Sequence, residues 1–551
     1  MKKILLTMIF LVTFLMIGTT SALAVTNGTV KVGLRFGGSA LFSANLENAV
    51  GSGYSFGYYD NSRNFVVLGA TDQTAISMTA DGTIYVPSGG SAAASAPSGT
   101  YAVIGAYRVQ LGDAFDSYSA AAAAAAGYPG GYPAYLSDAY CVQIGSYETS
   151  AAAQAALSAL GGSGSVVEAG STGVLVTVTG TAQILFAFDC QGAQSLAVLP
   201  NGNGAAAATW FKGTKYNGGF QYDRITGGNL NVINVVGLED YVRGVVPYEM
   251  SGGWPAEALK AQAICARTYV CSTTKHLSSY GFDVCNTTDC QVYNGTGNSS
   301  AAPTAVSDQA VSETAGKCLY SNGSLIEAVY FSSDGGATED AANVWGGAVS
   351  YLIGKLDPYE STISIPNYTY TVAYTPAQLT WVLQNSGYSI GTIGNVFVSE
   401  QTKTGNVYKV TFVDTTGKTL TVKGEKCRSV FYSSTYGKSV RSMRFQITGG
   451  ASANFYVNDA STQLSTLTGA YLISGSGTVS AYSGSAPYAV TSSGTSALSG
   501  GASSSSGAFT ITGTGNGHNV GMSQYGAYAM AQKGLSCEDI LNFYYTDVTI
   551  G

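Results

Sequence analysis

Charged residues and histidine are scarce in this sequence. Of its 551 residues 10% are charged, and the net charge at pH 7 is −7. A surface with net negative charge repels phosphates, so we expect no nucleic acid among its partners. The sequence has two histidines, His276 and His518, and each lies inside a motif described below. After residue 24, no stretch is long and apolar enough to span a bilayer.

The first 24 residues have the pattern of an export signal. They begin with two lysines, continue as an apolar stretch over residues 4–17, and end in the A-x-A sequence of residues 22–24. This order is typical of a cleaved secretory signal peptide, and the apolar stretch is short for a membrane-spanning helix. We therefore predict a signal peptide over 1–24 and a location in the cell wall or on the extracellular side of the membrane. An uncleaved anchor is the alternative.

Glycine and tyrosine are abundant, whereas charged residues are scarce. The sequence has 71 glycines and 38 tyrosines, a composition that favours an exported, strand-rich protein over a disordered one. Tyrosine and tryptophan faces among hydroxyls and amides would suit carbohydrate, although tyrosine is also an ordinary strand residue. The length predicts about three domains. Residues 25–98 are predicted to form short strands that end in a Gly/Ser/Ala/Pro linker.

A repeat follows in residues 99–200. The sequence V-Q-L-G begins at Val109 and V-Q-I-G at Val142, and an alanine-rich run follows each. Each unit predicts a strand, a turn and a helix, and two such units make a small α/β domain with helices on one face of a sheet. A plain low-complexity helix over 120–126 is the alternative. The repeat resembles the sporulation-related repeat (SPOR) family, which implies a domain that binds peptidoglycan glycan strands without peptides.

The most informative segment is residues 238–269. It starts as a short helix, breaks at Pro247 and restarts as a helix after Trp254 and Pro255, because proline is favourable at the first helical position. Glu249 lies in the break, next to Tyr248 and Met250. Apolar and aromatic neighbours raise the pKa of a carboxyl group, as a proton donor at neutral pH requires. The alternative is a solvated loop residue.

Four further blocks follow this segment in order, and together they resemble one family. They are D-C-Q-V-Y-N-G from Asp289, Y-F-S-S-D-G-G from Tyr330, N-V-W-G-G from Asn343 and G-H-N-V-G-M-S-Q-Y-G-A from Gly517. With residues 238–269 they resemble the stage II sporulation protein D family over about 205–551.

The resemblance implies a peptidoglycan lytic transglycosylase. Such enzymes cut the MurNAc–GlcNAc bond of denuded glycan strands and leave 1,6-anhydroMurNAc, and the matching acid/base here is Glu249. One carboxyl group can serve both proton transfers, so the chemistry requires neither a second carboxylate nor a cofactor. The alternative is a non-catalytic wall-binding protein that modifies a partner amidase, since one branch of the family enhances such an enzyme. A purely structural wall protein would leave the ordered blocks unexplained.

The same resemblance implies a set of residues that line the cleft and bind substrate. His518 would position substrate or orient Glu249, or else be a turn histidine bonded to backbone. The family's usual glycine after this histidine is Asn519 here, and asparagine tolerates the left-handed region. The predicted substrate-binding residues are Tyr330, Ser332, Ser333, Asn343, Trp345, His518, Gln524 and Tyr525.

The nine cysteines leave at least one unpaired in an exported chain. Three of them lie with His276 between residues 271 and 290, and thiolates with an imidazole are a zinc-type set. Some family members bind zinc here through one histidine and two cysteines, which implies His276, Cys285 and Cys290 as ligands of a structural zinc. Many relatives have a histidine where this chain has Asp289, so the fourth ligand is Asp289, Cys271 or water. The alternative is a Cys285–Cys290 or Cys271–Cys285 disulfide.

These patterns predict an α+β fold. A strand-rich catalytic domain over 205–551 has helices after Glu249 and near the carboxyl terminus, and a Gly/Ser-rich insertion over 445–510. The small α/β domain precedes it. The predicted partners are peptidoglycan glycan strands and a cell-wall amidase.

Overall fold

The computed structural model of the chain describes residues 25, 28–449 and 507–551, with short gaps at 89, 203–205, 226 and 299–301. Between residues 450 and 506 it describes six short strands. The predicted signal peptide lies outside the described residues. Within the described residues, no helix has the length and apolar character needed to cross a membrane.

Helices and strands are mixed along the chain, so the predicted α+β class is confirmed. Two short 3₁₀ helices span Gly37–Ser39 and Glu360–Thr362. The α-helices are Tyr118–Ala125, Ser150–Ala159, Leu238–Arg243, Val246–Glu249, Ala256–Ser272, Leu277–Tyr280, Ala305–Glu313, Ala341–Trp345, Pro376–Asn385, Lys426–Ser429, Gln524–Gln532 and Cys537–Tyr544.

A seven-stranded sheet joins the start of the described chain to its middle. Thr29 lies opposite Gly237 in an antiparallel pair, and Val30, Val32 and Leu34 alternate inward into the core. In spatial order its strands are Val284–Cys285, Thr29–Arg35, Leu230–Gly237, Gly219–Arg224, Leu196–Pro200, Tyr54–Tyr59 and Phe65–Thr71.

An eleven-stranded sheet lies across both predicted domain boundaries, at 98 and 205. It pairs Ser43–Val50 with Ala208–Phe211, so strands from the first and last predicted domains are neighbours. The division into domains stays a prediction. In spatial order its strands are Ser165–Glu168, Tyr107–Gln110, Ala139–Tyr147, Gly131–Leu136, Ile184–Asp189, Val174–Val178, Ala75–Ala80, Ser43–Val50, Ala208–Phe211, Thr214–Asn217 and Gly297–Asn298.

The first four strands of that sheet contain the predicted repeat. With helices Tyr118–Ala125 and Ser150–Ala159 they form a βαββαβ unit, whose strands stand in the order 4-1-3-2. This is the split βαβ arrangement. Residues of both helices share one hydrophobic cluster with the strands, including Ala121, Val142 and Leu157. The predicted strand–turn–helix repeat is confirmed, and its binding of glycan stays a prediction.

A second hydrophobic core lies in residues 370–445 together with Phe509 and Ile511. Strands Phe445–Gly449 and Phe509–Thr514 pair with each other, with Gly449 opposite Phe509. The predicted insertion therefore begins and ends on neighbouring strands, and the rest of it outside its six strands lies beyond the described residues. The strands of this region are Thr369–Tyr374, Ile393–Gln401, Val407–Asp414, Thr419–Lys423, Phe455–Val457, Thr462–Leu464, Tyr471–Ile473, Val479–Ala481, Tyr488–Thr491 and Gly494–Ala497.

Short strands complete the fold around the helices. Tyr330–Phe331 pairs in parallel with Met522–Ser523, which brings two of the sequence blocks together. The other short strands are Ile84–Pro87, Tyr101–Ile104, Leu319–Ser321, Ser324–Leu325 and Thr549–Ile550.

Helix Ala256–Ser272 is the centre of the helical layer. Twelve of its 17 residues are buried, as expected of a helix that is covered on most sides. Arg267 is fully buried and donates to both carboxylate oxygens of Glu239, at 2.9 and 2.7 Å. The helix begins at Ala256, directly after Trp254 and Pro255 as predicted, with Pro255 as its N-cap rather than its first helical residue.

Candidate active site and metal centre

Glu249 is the last residue of the short helix Val246–Glu249 and is half-buried. Its Oε1 accepts a hydrogen bond from the backbone N–H of Val292 at 2.7 Å. Its Oε2 accepts one from Nε2 of Gln524 at 3.3 Å. Segments that are far apart in sequence therefore meet at this carboxyl group.

Burial raises the pKa of Glu249, and hydrogen bonds from Val292, Gln524 and Tyr330 oppose that shift by stabilising the charged form. The raised direction agrees with the prediction from its apolar and aromatic neighbours. The bond from Gln524 to Oε2 is longer than the bond from Val292 to Oε1. Oε2 is therefore the better position for an exchangeable proton.

A polar chain lies behind Glu249. Nε2 of Gln291 donates to the hydroxyl oxygen of Tyr330 at 3.0 Å, and Oε1 of Gln291 accepts from the hydroxyl of Tyr241 at 2.8 Å. Gln262 Oε1 accepts from Gln524 at 3.4 Å. The sequence predicted Tyr330 and Gln524, whereas Gln262 and Gln291 were missed. Gln291 lay inside a recognised block, but its role depends on which way its amide points.

His518 is held by backbone atoms on both sides of its ring. Nδ1 accepts from the N–H of Val520 at 3.1 Å, so Nε2 carries the proton and donates to the carbonyl of Tyr330 at 3.2 Å. Burial lowers the pKa of His518 to about 4, so the ring is neutral at pH 7. Asn519 has φ 65°, as the sequence predicted. These bonds fit the alternative of a turn histidine. Because both ring nitrogens bond to backbone, only the face of the ring is left to contact a ligand.

A cavity of about 280 Å³ adjoins this region. The His518 ring lies 5.1 Å from the ring of Trp345, and Trp345 is 47% exposed. Aromatic faces and charged groups together suit a polar ligand with apolar ring faces, such as a sugar. Its lining includes Tyr269, Lys275, Asp289, Cys290, Glu327, Val329, Tyr330, Trp345 and His518.

A second aromatic group surrounds Trp254. The Trp254 ring lies 4.9 Å from Tyr525 and 4.9 Å from Tyr528, and all three side chains are half-buried. Tyr525 follows Gln524, which contacts Glu249. The sequence predicted Tyr525 and missed Tyr528, which stands three positions further along the same helix.

The remaining predicted substrate residues are tied to the framework. Ser333 is 2% exposed and donates to Glu360 at 2.8 Å. Asn343 donates to Glu339 at 2.8 Å, and the carbonyl of Ser332 accepts from the N–H of Tyr525 at 3.0 Å. The side chains of Ser333 and Asn343 and the carbonyl of Ser332 therefore form hydrogen bonds within the turns around the site and not with Glu249.

The predicted metal ligands are close together. Ligand atoms of His276, Cys285, Asp289 and Cys290 all lie within 4.8 Å of one another. Nε2 of His276 is buried without a hydrogen bond, 3.3 Å from Oδ2 of Asp289. A hydrogen bond from Cys290 lowers the pKa of the Cys285 thiol to about 5. Two sulfurs, one nitrogen and one oxygen fit a four-coordinate zinc.

Asp289 is the fourth member of that set, whereas Cys271 hydrogen-bonds with Cys318. The cluster also continues directly into the hydrogen-bond network of Glu249. Cys290 is followed by Gln291 and Val292, which contact Tyr330 and Glu249. A metal ion or a disulfide that holds the His276 cluster in place would therefore also hold the backbone N–H of Val292, which donates to Glu249.

Fold and site together define a strand-rich α+β protein with a half-buried carboxyl group, whose partner Tyr330 lines an aromatic and charged cavity. The family model described as stage II sporulation protein (SpoIID) matches residues 226–320. An uncharacterised protein of Brachyspira hyodysenteriae is 32% identical over 321 residues, which are 58% of this chain and 68% of that protein. The chain belongs to the stage II sporulation protein D family, as the sequence blocks predicted.

Two named relatives come from Bacillus subtilis (strain 168). Its amidase enhancer is 30% identical over 327 residues, which are 56% of this chain and 40% of that protein. Its stage II sporulation protein D is 29% identical over 334 residues, 58% of this chain and 76% of that protein. The matched part of the chain thus spans less than half of the amidase enhancer.

Proposed function

We propose that this protein is an exported peptidoglycan lytic transglycosylase that acts on denuded glycan strands in cell-wall remodelling or sporulation. The observation that carries the proposal is Glu249, a half-buried carboxyl group whose pKa burial raises. Family membership and the adjoining cavity with Trp345 and His518 support it.

Glu249 would serve both proton transfers. Oε2 gives its proton to the glycosidic oxygen as the bond from that oxygen to C1 of MurNAc breaks. The 6-hydroxyl oxygen of the same sugar then bonds to C1, and its proton passes to the Glu249 carboxylate. The products are a shortened strand and a 1,6-anhydroMurNAc end, and the acid is regenerated. The bond from Val292 to Oε1 would keep the carboxyl plane fixed in both steps.

Substrate would be held by aromatic faces and by the βαββαβ unit. Trp345 and Tyr525 offer rings near Glu249's partners, and the βαββαβ unit would bind glycan as the resemblance to sporulation-related repeats implies. Residues 99–200 share a sheet with their neighbours, so binding is best tested in the whole chain. Sedimentation of the full-length protein with denuded glycan, but not with intact peptidoglycan, would support this part.

His276, Cys285, Asp289 and Cys290 would hold a structural zinc ion. Bound zinc supplies a fixed tetrahedral crosslink and no part of the bond cleavage. It would keep Gln291 and Val292 in place behind Glu249. Metal analysis of the wild type and of His276→Ala separates zinc from a Cys285–Cys290 disulfide. The zinc proposal fails if both proteins are metal-free and mass spectrometry finds that disulfide.

The decisive experiment is digestion of peptide-free glycan strands, with the products identified by mass spectrometry. We expect anhydroMurNAc ends from the wild type and about 10²–10⁴-fold fewer from Glu249→Gln in the same time. Glu313→Gln, an exposed acid on helix Ala305–Glu313, is the matched control and should behave like the wild type. Reducing ends in place of anhydro ends would identify a hydrolase and contradict the proposal.

The second candidate function is enhancement of a cell-wall amidase without catalysis. It is favoured by the similarity to the amidase enhancer of B. subtilis. In that case Glu249→Gln would stimulate a wall amidase as well as the wild type does. Measuring amidase rates with both proteins on the same peptidoglycan distinguishes the two functions.

A further inference from the structure

A second group of acids lies in the framework beside the active site. Asp334, Asp357 and Glu360 are 0%, 5% and 1% exposed. One carboxylate oxygen of each lies within 4.8 Å of the other two. Asp334 belongs to the glycine turn after Tyr330, and the other two lie around the short helix Glu360–Thr362.

Glu360 is surrounded by donors. Its Oε1 accepts from the N–H of Asp334 at 2.8 Å and from the hydroxyl of Ser523 at 2.5 Å. Its Oε2 accepts from the hydroxyl of Ser333 at 2.8 Å and the N–H of Gly335 at 3.0 Å. Donors in this number stabilise the charged form of a carboxyl group.

Asp334 differs, because one of its oxygens has no partner. Oδ1 accepts from the N–H of Gly336 at 2.6 Å, whereas Oδ2 is buried and accepts no hydrogen bond. On the neighbouring Asp357, Oδ2 accepts only the hydroxyl of Tyr544, at 2.7 Å. A buried oxygen without a partner is costly, so Asp334 Oδ2 requires either a proton or a cation.

Positive charge is also missing near the cluster. Among the described residues, no lysine, arginine or histidine nitrogen forms an ion pair within 4.0 Å of Asp334, Asp357 or Glu360. Arg444 is nearby and donates instead to the carbonyl of Thr404 at 2.8 Å. Buried charges without a counter-charge are unfavourable.

We propose that Asp334 and Asp357 bind a calcium ion beside the carboxylate of Glu360, whose oxygens are already filled by hydrogen-bond donors. Calcium takes oxygen ligands at about 2.3–2.6 Å, so two ligands of one ion lie at most about 5 Å apart. The spacing of the two aspartate carboxylates fits that limit. Magnesium is less suitable because it retains several waters, and this cluster is buried. Zinc prefers the sulfur and nitrogen ligands of the His276 cluster, so the two sites select different metals.

Bound calcium would join the two walls of the active site. Ser523, which bonds to Glu360, is also the N-cap of helix Gln524–Gln532. Strand Tyr330–Phe331 pairs with Met522–Ser523. The ion would therefore fix the segments that carry Tyr330 and Gln524, both of which contact Glu249. This inference concerns the framework and does not depend on the reaction that Glu249 performs.

Calcium titration of the full-length protein tests the site. Protein treated with EGTA and dialysed at pH 7.5 is melted with increasing CaCl₂, and bound calcium is measured by mass spectrometry of the metal. We expect the melting temperature to rise by several degrees and saturate at one calcium per chain. Asp334→Asn should show neither effect, because it removes the charge and keeps the shape.

Two controls locate the effect. Asp308→Asn changes an acid on helix Ala305–Glu313 and should keep the calcium response. His276→Ala should also keep it, since the His276 cluster is a separate site. Loss of the response in His276→Ala would assign the calcium to that cluster and overturn the proposal.

A shared proton is the competing explanation. Asp334 would then be neutral and donate to Asp357, and Asp334→Asn would copy that bond with its amide. In that case calcium at about 10 mM, well above the dissociation constants of weak extracellular sites, leaves the wild-type melting temperature unchanged. That result, with no calcium bound, overturns the proposal, and it needs only the wild-type protein if Asp334→Asn does not fold.

Discussion

Glu249 is a half-buried glutamate and Glu360 a fully buried one, and their partners differ. Burial raises the pKa of both. Glu360 accepts four hydrogen bonds, two on each oxygen. Glu249 has three donors: Val292 at 2.7 Å from Oε1, Gln524 at 3.3 Å from Oε2, and Tyr330.

The difference separates a carboxylate that holds structure from one that can exchange a proton. Four donors around Glu360 would all lose their acceptor if it were removed, so its charge belongs to the framework. Glu249 has three donors, and protonation of its Oε2 would break a bond of 3.3 Å, which is longer than any of the four around Glu360. Buried acids with few donors are therefore the better candidates for acid/base catalysis.

The largest expected effect is on the rate of Glu249→Gln. Proton transfer by a positioned side chain contributes about 10²–10⁴-fold, so cleavage of denuded glycan should fall by that factor. Turnover is measured as anhydroMurNAc ends formed per minute, and binding of the strands should be nearly unchanged. A loss below tenfold would remove Glu249 from the catalytic role.

The matching change at Glu360 should act on stability. Glu360→Ala leaves four donors without an acceptor, and each buried donor that stays unsatisfied costs about 1–3 kcal/mol. Denaturant unfolding should show this loss, whereas Glu249→Gln should be as stable as the wild type or more so at pH 7. If Glu249→Gln is the less stable of the two, the division between a catalytic and a structural acid is wrong.

A pH series sharpens the contrast. The folded-state pKa of Glu249 is raised above its unfolded value of 4.5. The protonated form therefore contributes stability that is fully present below pH 4.5 and is lost as pH rises through the folded pKa. Relative to Glu249→Gln, the wild type should lose about 1.4 kcal/mol for each unit by which the pKa is raised.

Enzyme activity should follow the same ionisation. Because the acid must be protonated to start the reaction, kcat/KM should fall as pH rises through the folded pKa of Glu249. The pKa of His518 is lowered to about 4, so this ring stays neutral across that range. It should add no second change of slope to the plot of kcat/KM against pH. A difference in stability between the wild type and Glu249→Gln that does not change with pH would contradict a raised pKa of Glu249.

Local sequence features predicted much of this arrangement. Pro247 predicted a break at Glu249, whereas in the structure Pro247 lies inside the short helix that ends at Glu249. The repeated V-Q-x-G sequences predicted the two strand–turn–helix halves of the βαββαβ unit. His276, Cys285 and Cys290 were predicted together because they are close in sequence. Such features depend on a few adjacent residues, so they can be recognised without the fold.

Contacts between distant segments could not be predicted in that way. Gln291, Gln262 and the donors around Glu360 are ordinary residues until the fold brings them together. Ser333 was predicted to contact substrate because its turn is polar, but its hydroxyl donates to an acid 27 residues away. Pairing of Thr29–Arg35 with Leu230–Gly237 likewise follows from the sheet and not from either strand alone.

The smallest expected effects come from removing one donor from each acid. Gln524→Leu takes away the long bond to Oε2 of Glu249, so the pKa of that group should rise further, by less than about one unit. The fall of kcat/KM should shift to higher pH by that amount.

Ser523→Ala, the neighbouring change, removes a donor to Glu360 and the cap of helix Gln524–Gln532. It should cost about 1–2 kcal/mol of stability and leave the pH profile in place, because its donor belongs to the acid that does not exchange its proton. A shifted profile in Ser523→Ala with none in Gln524→Leu would reverse the roles of the two glutamates.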